Sequence, residues 1–242
     1  MNKNKLIAAC LLVSSSAMAQ QGERNLPLWE AGVGGVAIAT PAYPGADTHS
    51  SRVLALPFLI YRGEVLRSDQ SGIGARLLNT DKVEFDIGFA ASLPAHSDDV
   101  AARDGMPDLG TLVEFGPRVK LKLADLGNGR RVRFELPARA VIEARGGLRR
   151  QGWTFEPRLV YESRSADGRW VWDAQLAAVL GDARINRYFY EVRQQDATAT
   201  RPAYSADAGL MLVRTGLFAS YRLNPDLRLF AFVRYESYAG AA

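Results

Sequence analysis

The chain has 242 residues, 48% of them hydrophobic and 23% charged, with a formal net charge of +4. Charges this nearly balanced, with no concentrated basic stripe, argue against a nucleic-acid surface. A single cysteine excludes a disulfide framework and a Cys/His zinc pattern.

Met1 to Ala19 has the three parts of an export signal. Lys3 and Lys5 form the basic end, Leu6 to Val13 the apolar run, and Ala17-Met18-Ala19 the cleavage box before Gln20. The run is shorter than the roughly 20 residues that a membrane-spanning helix needs. Cys10 follows Ile7-Ala8-Ala9 and imitates a lipoprotein box, but cleavage there leaves almost no signal, so it reads as part of the run. Removing the leader lowers the formal charge from +4 to +2, and residues 20–242 form one domain of about 220 residues.

Beyond the leader the pattern has a period of two, most plainly in V-E-F-D-I-G-F-A-A-S-L from Val83 to Leu93. Strands are predicted to start near Trp29, Arg52, Glu64, Gly72, Val83, Leu109, Arg131, Gly152, Arg169, Tyr204 and Leu227. Successive side chains of a strand point to opposite faces. From Leu109 to Leu123 one face therefore carries Val113, Phe115, Pro117, Val119, Leu121 and Leu123, and the other Glu114, Gly116, Arg118, Lys120 and Lys122. From Arg131 to Arg145, Val132, Phe134, Leu136, Ala138, Ala140 and Ile142 oppose Arg131, Arg133, Glu135, Arg139, Glu143 and Arg145. Trp153, Phe155, Leu159 and Tyr161 alternate with Thr154, Glu156 and Arg158. Trp170, Trp172, Ala174, Leu176, Ala178 and Leu180 alternate with Asp173 and Gln175.

Both charge signs fall on one face of neighbouring strands, as ion pairs in a polar lumen require. In an exported chain, the solvent for the other face is lipid. Only helices and closed barrels satisfy their backbone hydrogen bonds there, and the sequence has no long apolar helix. The expected fold is an all-β, antiparallel transmembrane β-barrel of about 10–12 strands in the outer membrane of a Gram-negative cell. Strand-end aromatics, with Tyr221 and Tyr235 flanking Asn224-Pro225-Asp226, fit a membrane-boundary girdle.

Connections fall into two classes. Asn79 to Asp81, Asp125 to Gly129, Ser165 to Gly168 and Asn224 to Asp226 are short; Pro94 to Asp108 and Ala183 to Pro202 are long and polar; Gly146 to Gly152 is intermediate. Long loops outside and short turns in the periplasm are the asymmetry of outer-membrane barrels. Eleven strands leave an even-numbered barrel one short. The final strand is expected to be missing, because Tyr238-Ala239-Gly240-Ala241-Ala242 supplies no further alternation.

Several local motifs resemble the MipA/OmpV family of outer-membrane proteins. They are Gly32-Val33-Gly34-Gly35, Pro41-Ala42-Tyr43-Pro44-Gly45-Ala46-Asp47, Leu56-Pro57-Phe58, Tyr61-Arg62-Gly63 and Gly72-Ile73-Gly74. Gly105-Met106-Pro107-Asp108-Leu109 before Glu114-Phe115-Gly116-Pro117, Tyr188-Phe189-Tyr190-Glu191-Val192, and Tyr204 to Gly209 agree in order and spacing. The family usually has Gly where Glu191 stands, and its members run past the position of Gly240 into a last strand. The resemblance implies a scaffold that brings a murein lytic transglycosylase and a penicillin-binding protein together in cell-wall assembly, through short periplasmic turns such as Asp125 to Gly129 and Asn224 to Asp226. A small-solute pore and a surface-loop binder or adhesin, acting through the two long loops, are the alternatives.

No catalytic, cofactor or metal residues are expected. Pro41 and Pro44 remove backbone donors and Gly45 permits a tight turn, so Pro41 to Asp47 reads as a connection. His49 with Ser51 at i+2 lacks a third orienting group. Asp98, Asp99 and Asp104 near His96 lack a calcium-loop spacing. Arg118, Lys120, Lys122, Arg131, Arg133, Arg139 and Arg145 set against Glu114, Glu135, Glu143 and Glu156 read as cross-strand ion pairs ahead of a selectivity filter.

Overall fold

The computed structural model describes residues 4–14, 29–41, 49–61, 66–69, 72–92, 94–224 and 227–238, with side chains over 74–92, 94–224 and 229–238. The leader's cleavage box, most of the Pro41 to Asp47 connection, Pro225-Asp226 and the last four residues lie outside them, as do the side chains of His49 and Ser51.

Among the described residues, thirteen strands form one antiparallel sheet. They are β1 (Asn4–Ser14), β2 (Trp29–Pro41), β3 (His49–Tyr61), β4 (Leu66–Asp69), β5 (Gly72–Asn79), β6 (Val83–Ser92), β7 (Leu112–Gly127), β8 (Arg130–Ala144), β9 (Leu148–Phe155), β10 (Arg158–Arg164), β11 (Trp170–Gly181), β12 (Gly209–Arg222) and β13 (Leu227–Ser237). The order runs β3-β2-β1-β13-β12-β11-β10-β8-β7-β6-β5-β4, and β3 also lies against β4, so the two ends of the path meet.

β9 and β10 share one lane. β9 pairs with β8 over Ala138–Ala144 and β10 over Arg130–Glu135, while both pair with β11. The predicted single strand is split at Glu156-Pro157, where Pro157 has no N–H to donate. Its carbonyl accepts from Ala178 N at 3.1 Å, so the lane continues past the break. Counted by lane the sheet is twelve wide, an even number.

Asn4–Ser14 fills the twelfth lane. It pairs with β13 from Asn4↔Ser237 to Ser14↔Leu227 and with β2 from Ala8↔Ala39 to Ser14↔Val33. A strand edge is a row of unmet donors and acceptors, and any extended apolar run can satisfy it. The same residues carry the apolar run of the predicted export signal.

The expected faces are observed. Glu135 is 1% exposed whereas Leu176 is 52% exposed. Asp86, Arg118, Lys120, Glu143, Glu156, Asp173 and Glu236 are buried, while Phe89, Phe115, Trp153, Leu159, Leu217 and Val233 are exposed. This reverses a water-soluble fold, which exposes paired charges and hides large apolar side chains.

Aromatic rows mark the two rims of the apolar wall. Phe89 and Phe115 stack 6.4 Å apart, in register with Ala140 and Trp153. Nearer the short turns, Tyr161 meets Trp172 at 5.3 Å and Trp170 meets Tyr221 at 4.5 Å. Trp153 and Tyr161, on the shared lane, are roughly 20 Å apart along the barrel axis at ~3.3 Å per residue and a tilt of about 40°. Tyr235 does not join Tyr221: it pairs with Thr215, while Tyr221 pairs with Leu229, nearer the turn.

Several boundaries differ from the expectation, and the strand expected from Tyr204 starts at Gly209, with Tyr204 held in a bridge to Val192. β7 starts at Leu112, because Leu109 is drawn into a bridge with Ala95 under the long loop. The connection expected at Gly146 to Gly152 contracts to three residues, with Gly146 and Gly147 at φ +60° and +133°. The second long loop, read from sequence as long and polar, contains a helix, α1 (Ala183–Tyr190).

Candidate functional site

A lattice of ion pairs crosses the lumen. On β5 to β7, Arg118 binds Asp86 through Nε and Nη2 at 2.8 Å each, and Lys120 reaches Glu84 at 2.8 Å and Asp86 at 3.2 Å. Arg76 closes on Glu84 at 2.9 Å. On β8 to β10, Arg133 joins Glu135 at 2.7 Å and Glu162 at 2.8 Å. Glu156, at the broken lane, gathers Arg139 at 3.4 Å, Arg158 at 3.4 Å and Arg214 at 3.0 Å. Arg214 continues to Glu236 on β13 at 2.8 Å, and the Tyr238 hydroxyl donates to the same carboxylate.

Several of these pairs follow directly from register. Asp86 stands opposite Arg118, Glu84 opposite Lys120, and Arg214 opposite Glu236. Charges buried together must be paired and hydrogen-bonded to be tolerated. Sequence reading located Arg118, Lys120, Arg133, Arg139, Glu114, Glu135 and Glu156 on this face. It missed Arg76, Glu84, Asp86, Arg214 and Glu236, although the same alternation exposes them. Lys122, Arg131 and Arg145 leave the lattice: they sit exposed at strand ends, and Arg131 pairs loosely with Asp125 at 3.6 Å.

Above the lattice the interior turns apolar. Leu112, Val141, Val179, Met211, Leu212 and Tyr238, from five lanes, pack around Ile185 of α1, with Tyr188, Phe189 and Tyr190 against them. α1 is started by Asp182, whose carboxylate accepts from Ile185 N at 2.9 Å. Gly152 allows this approach: a Cβ there would meet Asp182 Oδ1 at 2.3 Å and Ile185 N at 2.9 Å. Asp182 followed by apolar residues at 185 and 189 is the sequence signal for a capped helix.

The two long loops are clasped over this plug. Arg103, itself buried, donates to Phe189 O and Pro107 O at 2.9 Å each. Arg201 donates to Ala102 O at 3.1 Å and Asp104 O at 3.0 Å across the loops, and to Asp196 O at 2.8 Å within its own. The Tyr188 hydroxyl accepts from Gly110 N at 2.8 Å and donates to Glu143 at 3.2 Å. Burial is the main reason that the Tyr188 phenol is pushed up to about 12. Asp108 is held below the usual carboxylate range, chiefly by the Ser97 backbone N–H and then its hydroxyl. His96 Nδ1 lies 3.5 Å from Asp108.

Between the first long loop, the β8–β9 hairpin and α1 lies a cavity of about 620 Å³. Arg184, Arg187, Tyr188 and Glu191 line it at helical spacing, while Ile185 and Phe189 turn to the plug. Among the described residues no group of three or more metal-ligating side chains gathers.

A closed antiparallel sheet with ion pairs inside, an apolar wall between aromatic rows outside, and long loops at one end defines an outer-membrane β-barrel. The family model for MltA-interacting protein MipA matches residues 33–242, and the chain belongs to that family. No curated protein matches the chain. A solved structure, Salmonella typhi OmpF in complex with daunomycin, aligns over 97% of this chain and 98% of its own at 10% identity and a TM-score of 0.22.

Proposed function

We propose that this outer-membrane barrel is a scaffold, holding a murein lytic transglycosylase, and with it a penicillin-binding protein, at the periplasmic face of the membrane. The family description supports the first partner. The observation that carries the reading is the occupied interior. An ion-pair lattice spans β5 to β13 and α1 packs into the mouth above β7 to β13. An interior filled by its own side chains serves a rigid platform better than a conduit.

The contact surface on this reading is the turn end. Its turns are short, as at Asn128 and Gly129 with φ of +50° and +74°. Such turns present little area, so the complex is weak and transient. The export role of residues 1–19 belongs to the same proposal, under which the lane of Asn4–Ser14 is lost on export and the edges of β2 and β13 take another partner: the membrane-extracted protein should begin at Gln20 by N-terminal sequencing, and a protein beginning at Met1 refutes it.

The test is a pull-down of the detergent-extracted protein, with captured proteins identified by mass spectrometry against an unrelated barrel. Enrichment of a lytic transglycosylase, reduced by the double variant Asp125→Lys/Asn128→Lys, supports the scaffold. A folded barrel, verified by heat-modifiable gel mobility, that enriches no murein enzyme overturns it.

A further inference from the structure

The cavity beside α1 is charged in an unbalanced way. Six arginines line it against four carboxylates, Asp108, Glu143, Glu191 and Asp196. Two of those carboxylates are already engaged. Asp108 accepts from Ser97 and Arg145, at 2.8 Å and 3.1 Å, and Glu143 from Gln151, Tyr188 and Gly110, at 2.7, 3.2 and 3.2 Å.

The arginines divide likewise. Arg103 and Arg145 are committed to the loops, and Arg187 gives Nε to Ala206 O at 3.3 Å, leaving its terminal nitrogens. Arg149, Arg184 and Arg193 have no carboxylate within salt-bridge distance among the described residues. Glu191 and Asp196 offset only part of this charge.

Three separate elements deliver these guanidiniums to one space: Arg149 from β9, Arg184 and Arg187 from α1, and Arg193 from the segment after it. Arg149 stands opposite the inward-facing Glu143, to which Gln151 also donates, and the register shift between Val141 and Ile142 lets Leu148 and Trp153 both face outward. The cavity therefore opens inside the ring of strands, away from lipid headgroups. Its volume suits a solute of sugar-phosphate size. Planar guanidinium forks pair bidentately with phosphate oxygens, and several converging on one space favour a multiply charged ligand.

We infer that the mouth of the barrel is a binding site for a small soluble anion bearing two or more phosphate charges, held by Arg149, Arg184, Arg187 and Arg193. The site is at the opposite end of the barrel from the scaffold surface, and either reading can fail without the other.

The test is isothermal titration calorimetry of the full detergent-solubilised protein with inorganic pyrophosphate. Saturable one-to-one binding that weakens with salt is expected, with affinity about tenfold lower for each of Arg149→Gln and Arg184→Gln. Arg131→Gln, an exposed arginine at the other end, should bind as the parent does. Heat-modifiable mobility verifies that each variant is folded. Absent binding, or binding indifferent to the Arg149 and Arg184 substitutions, overturns the inference. So does binding confined to vesicles containing lipopolysaccharide with none to free pyrophosphate, since that places the phosphate in lipid.

Discussion

The two ends of the barrel are built by different means. Within each turn of the turn end the bonds are local: Trp170 N donates to Ser165 Oγ at 2.9 Å, Arg169 N to Asp167 at 3.0 Å, and Gly127 N to Asp125 at 3.0 Å. None of these joins residues more than five apart. At the loop end Arg103 bonds Phe189, 86 residues away, and Arg201 bonds Ala102, 99 residues away. One end is thus a set of locally built turns, each linked to a neighbouring turn by single bonds such as Arg164 N to Gly129 O at 3.0 Å and Arg222 Nη2 to Gly168 O at 3.2 Å. The other is one cooperative unit, in which helix, loops and apolar plug stand together.

Breaking the lattice beneath both ends should have the largest effect. Glu156→Ala leaves Arg139, Arg158 and Arg214 without a shared anion, at a cost of about 3–5 kcal/mol. Urea unfolding in detergent, followed by gel mobility, should show the whole barrel weakened; a loss under about 1 kcal/mol would mean the lattice is redundant.

Ile185→Ala should separate the ends. Removing a fully buried side chain from the plug costs about 2–4 kcal/mol. Limited proteolysis should cut within 183–202 while the turns at 128–129 and 165–169 stay intact. Equal cleavage at both ends would deny that the loop end is a separate unit.

A smaller effect is expected from Tyr188, whose neutral phenol the fold favours. With the folded pKa raised to about 12 from 10, its contribution is complete below pH 10 and falls as pH rises towards 12. Tyr188→Phe should lose about 1 kcal/mol at neutral pH, and its stability should decline less steeply than the parent's between pH 10 and 12. Identical slopes would remove Tyr188 from that dependence. Least of all, Arg131→Gln breaks an exposed 3.6 Å pair with Asp125 and should change stability by under about 0.5 kcal/mol. A larger loss would show that the turn end is less locally built than its bonds indicate.

Alternation by itself determined the barrel, its two faces and eleven of its twelve lanes. A strand's period of two is a local property, and burying Glu135 while exposing Leu176 requires no knowledge of the partner strand. Register, however, chose the partners: Arg118 finds Asp86 because β6 and β7 align that way, a choice that no single segment contains. α1 was hidden because its signal, the Asp182 cap with Ile185 and Phe189, is short and set among arginines and tyrosines, and its apolar side needs five lanes to cover it. The break at Glu156-Pro157 was legible in the proline, but that both halves share a lane depended on β8 and β11 reaching past it. Residues 4–14 show the division most plainly. Their apolarity is in the sequence, while their place as a strand comes from two edges, on β2 and β13, whose backbone groups require a partner. The arginine cavity has the same origin: its members lie on β9, on α1 and beyond it, and only the packing of α1 against the hairpin brings them together.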